Sequence, residues 1–328
     1  MPANLTPDYL KAEQWFREAT TNEEKILALE EMMRVIPKHK GTDHMRAELR
    51  KKYSALKESA EKRKKASHGP DPFHIPKSGA GQVVLLGLPN SGKSAIVAAV
   101  THARTQVADF PFTTSLPIPG IAQFEDIKIE LVDMPPVTAE FAPSGIVNTL
   151  RNCDLIGVVI DLGGNVEEQV KVCFDFLESR RLLLDPNIPL LDESGKSLAK
   201  KCFVIAAKKD LSPSDVIDNL KKKLTRPVEI AAISVKDRAS LDKMLADIFR
   251  LLDIVRVYAK KPGHEPDMTE PFVLPKGSTV MDLAQSIHRE LAEKLKSARC
   301  WGSGVHNGQN VHRTHILCDK DIIELHFA

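Results

Sequence analysis

The chain has 328 residues, too many for one ordinary hydrophobic core and enough for two or three domains. Its 42% apolar and 27% charged residues exclude a disordered or collagen-like polymer. The net charge of +2 gives by itself no reason to expect a nucleic-acid partner, but it is unevenly spread, because residues 34–65 hold 12 Lys/Arg against four Asp/Glu.

Residues 1–66 read as a basic helical hairpin. Thr21 and Glu24 make a capping-box pattern ahead of Ile26, Leu29, Met33 and Ile36, which share one helical face. Pro37–Gly41 interrupts the pattern. Thr42 or Asp43 can then cap a second helix whose apolar stripe is Met45, Leu49, Tyr53 and Leu56. Pro70, Pro72, Pro76 and Gly79 mark a linker.

Over 67–252 short apolar runs alternate with amphipathic stretches: Val83–Leu86, a helix from Lys93, Ile127–Val132, Leu155–Ile160, Cys202–Ala206 and a helix over Leu241–Leu251. This alternation predicts an α/β domain with a mainly parallel sheet. Residues 253–328 begin with strands at Ile254–Tyr258 and Pro271–Leu274. A helix capped by Thr279 and Asp282 follows, bearing Val280, Leu283, Ile287, Leu291 and Leu295, and a last strand spans Asp321–Phe327. That order suggests a small β-grasp module.

Met1 to Phe16 lacks the apolar core of a secretory signal, and the longest apolar runs are strand-length, so no membrane association is expected. The five cysteines form no CxxC pattern, which fits a reducing, cytoplasmic location. His312, His315 and Cys318 recur every third residue, but no fourth ligand stands at metal spacing and the segment reads as turn and strand.

Gly87-Leu-Pro-Asn-Ser-Gly92-Lys93-Ser94 fits the phosphate-loop pattern G-x-x-x-x-G-K-[ST], with a strand before it and a helix after it. In such a loop the glycines let backbone N–H groups converge on phosphate oxygens, and the helix N-terminus adds its positive end. Gly87, Asn90, Ser91, Gly92, Lys93, Ser94 and Ala95 are therefore the candidate phosphate contacts, with Lys93 reaching the β- and γ-phosphates and Ser94 ligating Mg²⁺. Downstream, Asp109–Gly120 reads as a loop with Thr113 and Thr114, Asp133-Met-Pro-Pro136 follows a strand, and Ala207-Lys208-Lys209-Asp210 and Ser234-Val235-Lys236 follow two more. The order is that of the GTPase motifs: phosphate loop, switch I threonine, DxxG, [NT]KxD and SA[KL].

With these motifs the chain resembles the developmentally regulated GTP-binding (DRG) proteins of the Obg/HflX class. The resemblance extends to the Pro37–His44 turn and basic helix, and to a tail with Trp301-Gly302, Gln309–Val311, His315 and Leu317–Ile323 that resembles a TGS domain. It implies a P-loop GTPase domain flanked by the helical hairpin and the β-grasp (TGS) domain. It also implies roles: Lys93, Thr114 and Asp133 act in hydrolysis, and Ser94, Thr114 and Asp133 hold Mg²⁺. Asp210 accepts from guanine N1 and N2, the Lys208 stem covers the base, and backbone amides at Ser234–Val235 meet guanine O6. Asn90 stands where related GTPases hold an activating K⁺, although an asparagine capping its own loop is an equal reading.

The chain departs from the family pattern in three places. Pro136 replaces the DxxG glycine and has no N–H to offer a γ-phosphate. Ala207 replaces the asparagine or threonine of [NT]KxD. Val137, where Ras-like enzymes place a water-orienting glutamine, is no departure, since it matches the hydrophobic substitution common in this class. Only 77 positions separate Asp133 from Asp210, leaving room for a modest loop around Arg181–Ala199 in place of the family's inserted domain. The expectation is a guanine-nucleotide-binding protein that hydrolyses GTP to GDP slowly, together with the ribosome or structured RNA and a regulatory protein partner. The RNA-contacting residues would be Lys51, Lys52, Lys62, Arg63, Lys64 and Lys65. Trp301 and His312 are candidates for base stacking, against the plainer reading of Trp301 as core. Two other functions fit less of the pattern: a non-hydrolysing nucleotide-gated adaptor, and an ATP-using P-loop protein.

Overall fold

The computed structural model describes residues 6–327 apart from 20, 38–41, 67–70, 102–115, 144, 184–198, 214 and 225. The chain opens with helices α1 (Pro7–Glu18), α2 (Asn22–Val35) and α3 (Asp43–Ala66). Thr6 accepts a hydrogen bond from the Tyr9 N–H at 3.3 Å and Pro7 occupies the first helical position, so α1 starts independently of the expected hairpin and makes it a three-helix unit. The Thr21–Glu24 capping box forms as the spacing predicts, at 3.1 and 3.2 Å. Tyr9, Ala12, Leu29, Met32, Ile36 and Leu49 are the core of this unit. Glu24 also takes the Arg180 guanidinium at 3.1 Å, and Arg181 lies over the Trp15 ring at 4.0 Å, so the unit docks against the segment just beyond Ser179.

A six-stranded sheet comes next, built from β1 (Gly81–Leu86), β2 (Ile118–Phe124), β3 (Ile127–Asp133), β4 (Leu155–Asp161), β5 (Lys201–Ala207) and β6 (Ile230–Ala232) in the order β2-β3-β1-β4-β5-β6. Only β2 runs antiparallel to its neighbour; the other pairings are parallel. Helices α4 (Lys93–Val100), α5 (Ile146–Asn152), α6 (Val166–Ser179), α7 (Asp215–Lys223) and α8 (Arg238–Leu251) cover both faces. Successive β1 side chains therefore enter opposite cores. Val84 and Leu86 join Ile146, Leu150, Phe174 and Leu177, while Val83 and Leu85 join Ile96, Val97, Leu241, Met244 and Leu245. Each such burial is worth about 1.5–3 kcal/mol. The expected loop over Asp109–Gly120 is a strand from Ile118 onward. As an edge strand β2 tolerates Pro119, and at Gly120 a side chain would strike Val97 and Thr101 at 2.7 and 2.8 Å.

The second sheet has the order β10-β9-β11-β7-β8, with β7 (Ile254–Lys260), β8 (Phe272–Pro275), β9 (Leu295–Trp301), β10 (Gln309–Val311) and β11 (Asp321–Phe327). The helix capped by Thr279 and Asp282 is α9 (Val280–Ile287), and it does not continue to Leu295 as its periodicity suggested. His288 turns extended at φ −163°, a short α10 (Arg289–Glu293) follows, and Leu295 opens β9. Pairing of β9 with both β10 and β11 outweighs the helical pattern there.

One arginine joins the two sheets. Arg256 on β7 is 3% exposed. Its guanidinium meets Glu125 at 2.6 Å and Asp126 at 2.7 Å on the β2–β3 turn, and Asp319 at 2.7 Å on its own sheet. Tyr258 donates to Asp126, and Phe249 of α8 lies under the guanidinium at 4.7 Å. The hydrogen bond from Arg256 holds the Glu125 carboxyl below its usual range. Arg256→Met would remove the cation that three carboxylates share, and because Glu125 keeps Lys320 and Asp126 keeps Tyr258, a loss of about 1–3 kcal/mol is expected in urea unfolding. Because the Glu125 pKa is lowered, its contribution is complete above the ordinary glutamate range and disappears as pH falls through the depressed value. Wild type should therefore lose stability on acidification more steeply than Arg256→Met, and equal slopes would refute this account of the junction.

Candidate nucleotide site

At the carboxyl ends of the parallel strands, the loop 87–92 passes from β1 into α4. Gly87 is obligatory by contact, since a Cβ there would lie 2.7 Å from the Val159 carbonyl oxygen. Gly92 is obligatory by conformation, with φ +102° at the helix N-cap. Asn90 has φ +60°, a left-handed geometry that asparagine tolerates better than most residues, so the turn alone accounts for its presence.

Lys93 folds back into this loop. Its Nζ donates to the carbonyl oxygens of Gly87 at 3.1 Å and Leu88 at 2.9 Å, and Ser91 Oγ is 3.4 Å away. Burial pushes the ammonium pKa down, which makes an anionic partner favourable there. Ser94 and Ala95 are exposed on the first turn of α4, where backbone N–H groups have no helical partner. Ser94 Oγ donates to Asp133 Oδ2 at 2.5 Å, and Asp133, at the end of β3, is 7% exposed. The other oxygen, Asp133 Oδ1, is buried without a hydrogen-bond partner. Burial raises the Asp133 pKa, against the pull of Ser94 and Lys93. Thr113 and Thr114 lie outside the described residues.

The segment after Asp133 turns inward. Pro135 and Val137 are buried, and the Val137 N–H donates to the Gly87 carbonyl at 3.2 Å. The amide next to Pro136 is thus already bonded to the phosphate loop.

The base-reading motifs sit at the ends of β5 and β6. Ala207 is buried, 3.7 Å from where a Gly92 Cβ would stand. Lys208, with φ +61°, spans to the loop by donating to Asn90 O at 3.1 Å and to Asp161 Oδ2 at 2.6 Å. Asp210 is exposed. Ser234 Oγ donates to its Oδ1 at 2.8 Å, Lys236 Nζ pairs with its Oδ2 at 3.0 Å, and these contacts hold its carboxyl below the usual range. The two backbone amides expected to act together differ. The Ser234 N–H is held by Ser240 Oγ at 3.1 Å, whereas Val235 is 44% exposed.

Asp161 and Gln169 escaped the sequence reading, and Lys236 stood there in a motif without a role of its own. Asp161 ends β4, pairs with Lys208 and accepts from the Gly163 N–H; Gln169 clamps the Asp161 backbone from α6; Lys236 neutralises Asp210. A carboxylate closing an apolar strand at the carboxyl edge of a parallel sheet was the available signal for Asp161. Trp301, a stacking candidate, is half-buried with Lys260 Nζ 4.3 Å above its ring, while His312 is exposed and bonded to Thr314.

The model of the 50S ribosome-binding GTPase family matches residues 82–188, and the TGS domain model matches 255–326. Developmentally-regulated G-protein 1 of Arabidopsis thaliana is 27% identical over 369 aligned positions, covering 92% of this chain and 90% of the relative. The chain is a homologue of the DRG GTPases. The Dictyostelium discoideum homologue of developmentally-regulated GTP-binding protein 2 is 28% identical, covering 92% of this chain and 98% of its own. Among solved structures, the Schizosaccharomyces pombe YchF GTPase shares the fold, with a TM-score of 0.50 at 12% identity over 76% of this chain and 99% of that one. The chain thus combines a GTP-binding P-loop GTPase domain with a TGS domain. The 369 aligned positions exceed the 328 residues of the chain, so the Arabidopsis relative carries residues with no counterpart here, in keeping with the short spacing between Asp133 and Asp210.

Asp161→Asn removes the charge that fixes Lys208 across the site. Losing a charge-assisted hydrogen bond corresponds to about 1.5–3 kcal/mol. Guanine-nucleotide affinity in a fluorescence titration is expected to fall roughly tenfold or more. Unchanged affinity would separate the Asp161–Lys208 pair from nucleotide binding.

Proposed function

We propose that the chain is a slow, Mg²⁺-dependent GTPase that converts GTP to GDP and phosphate and acts with the ribosome or structured RNA in the cytoplasm. The observation that carries this reading is the buried Asp133 Oδ1, which lacks a partner while Oδ2 is bonded to the exposed Ser94 hydroxyl. A buried orphan carboxylate oxygen beside a hydroxyl is a donor set suited to a hard divalent cation. Ser94, Asp133 through water, and Thr114 would hold Mg²⁺. When bound, that ion supplies charge neutralisation at the β- and γ-phosphate oxygens.

The remaining work falls to the chain itself. Gly87, Asn90, Ser91, Gly92 and Ala95 form the backbone cradle, and Lys93 exchanges loop carbonyls for phosphate oxygens. Asp210 accepts from guanine N1 and N2, which requires Lys236 to swing away; its 75% side-chain exposure leaves room to do so. Lys208 covers the base, and the Val235 amide reaches O6, with Ser234 serving to orient Asp210.

Slow hydrolysis is expected from the residues after Asp133. Pro136 has no N–H, the Val137 N–H is held by Gly87, and the buried Val137 side chain cannot orient water. A missing hydrogen bond to a charged γ-phosphate corresponds to about 1.5–3 kcal/mol. The same geometry favours a second reading, a nucleotide-gated adaptor that does not hydrolyse. Single-turnover assays separate the two. GTP is expected to be cleaved slowly with Mg²⁺ and faster when ribosomes or a regulatory protein partner are added, whereas no cleavage under any of these conditions would leave the adaptor. K⁺ at Asn90 predicts higher rates in K⁺ than in Na⁺ buffer. Stronger competition by GTP and GDP than by ATP is expected from Asp210.

For RNA, Arg50, Lys51 and Lys52 are exposed on α3, and Lys62, Arg63, Lys64 and Lys65 continue the same helix, with side chains outside those described. The name of the family matched over 82–188, 50S ribosome-binding GTPase, supports a ribosomal partner. No helix among the described residues is long and apolar enough to cross a membrane. Changing Lys51, Lys52, Lys62, Arg63, Lys64 and Lys65 to Gln should weaken ribosome or RNA co-sedimentation and flatten its salt dependence. Unaltered binding would assign α3 a purely structural role.

A further inference from the structure

The second sheet holds a cluster that the nucleotide site does not use. The Cys300 thiol on β9, the His315 imidazole and the Asp321 carboxylate at the start of β11 each offer one ligand atom, and these atoms all lie within 4.8 Å of one another. Cys300 is fully buried, Asp321 is 1% exposed, and His315 is partly open at the edge. Oδ2 of Asp321 accepts from the Cys318 N–H at 2.8 Å, but Oδ1 is buried without a hydrogen-bond partner. The chain closes tightly over that oxygen, since a Cβ at Gly302 would fall 1.8 Å from it.

We propose that Cys300, His315 and Asp321 bind one borderline transition-metal ion, zinc in the first place. Thiolate, imidazole and carboxylate are the zinc donor set, and the thiol and imidazole disfavour magnesium and calcium. Zinc–ligand bonds of about 2.0–2.3 Å place tetrahedral ligands roughly 3.3–3.8 Å apart, so the side chains need to close by about 1.5 Å at most. Water completes the coordination on the side of His315, where the cluster is open. Without an ion, a buried thiol and a buried carboxyl face each other. Burial pushes the thiol up to about 12, and it raises the carboxyl against the Cys318 amide, His315 and Cys300. A divalent cation replaces the protons these groups retain and supplies Oδ1 with its missing partner.

The ion would brace a turn that matters elsewhere. Residues 315–321 carry Asp319, which binds the Arg256 backbone and guanidinium, and the Lys320 N–H donates to the Arg256 carbonyl at 2.7 Å. Zinc at Asp321 therefore steadies the TGS side of the junction with the GTPase domain. The site is independent of the Mg²⁺ site, and its failure would leave the proposed GTPase function untouched.

The test uses the full chain, stripped with chelator and titrated with Co²⁺ and then Zn²⁺. One equivalent of Co²⁺ should give a thiolate charge-transfer band that Zn²⁺ abolishes, and Zn²⁺ should raise the melting temperature by about 5 °C or more. Cys173→Ser, a buried thiol of the other domain, should retain both effects, whereas Cys300→Ser and His315→Asn should lose both. If Cys300→Ser does not fold, His315→Asn at the partly open edge makes the same comparison. No band at one equivalent, or a band that survives both Cys300→Ser and His315→Asn, overturns the site. A band without a rise in melting temperature overturns the bracing role.

Discussion

A buried cation lies between the two sheets, beside the apolar contact that Ile254 and Val273 make with the core of the first. Arg256 is almost fully removed from water, and an isolated guanidinium there would be prohibitive. The chain meets that demand from both sides, with Glu125 and Asp126 from the turn joining β2 to β3 and Asp319 from the second sheet. Asp126 also receives the Tyr258 hydroxyl, and Glu125 pairs with Lys320, so neither carboxylate depends on Arg256 alone. The consequence is positional. The hairpin that Arg256 grips has Asp133 at the far end of β3, and β2 comes directly after the segment holding Thr113 and Thr114. The strand that carries a candidate Mg²⁺ ligand is therefore anchored, at its opposite end, to the TGS domain.

The phosphate loop supplies partners for its own buried lysine. Lys93 is buried and would be destabilising if left alone, and the carbonyl oxygens of Gly87 and Leu88 solvate it. Those carbonyls are weaker partners than phosphate oxygens, so the exchange favours a bound nucleotide. Lys208 does a related task at the base end. With Ala207 unable to bridge to the phosphate loop, the tie between the two motifs passes through Lys208, from Asp161 to the Asn90 carbonyl. Lys208 thus makes the contact between the two motifs from the position next to Ala207.

Where local chemistry decided the structure, the sequence was sufficient. The Thr21–Glu24 and Thr279–Asp282 caps, the loop from Gly87 to Ser94 and the strand Asp321–Phe327 all form where short-range patterns place them. Where pairing across the chain decided it, the sequence was ambiguous. Ile118–Phe124 contains Pro119 and Gly120 and reads as a loop until β3 is available to pair with it. Leu295 continues a helical stripe until β10 and β11 claim its strand. Single polar residues fared likewise, since nothing in the order of residues links Asp161 to Lys208 or Arg256 to Glu125, which lie 47 and 131 positions apart. Val235 and Ser234 are adjacent, yet it is Ser240, six positions on, that holds the Ser234 amide.

Replacement of the DxxG glycine by Pro136 alters more than one hydrogen bond. A glycine at that point is free to rotate its peptide toward a γ-phosphate and away again. Pro135 and Pro136 fix φ at successive residues, Val137 is packed among Met134, Ile146 and Leu150, and its N–H is tied to Gly87. Moving this segment would break a backbone hydrogen bond and expose a buried valine together, at a cost of about 2–4 kcal/mol. A response to GTP through this segment has to meet that cost. The segment after β3 is thus tied to the phosphate loop at one end of the strand, while Arg256 holds the turn at the other.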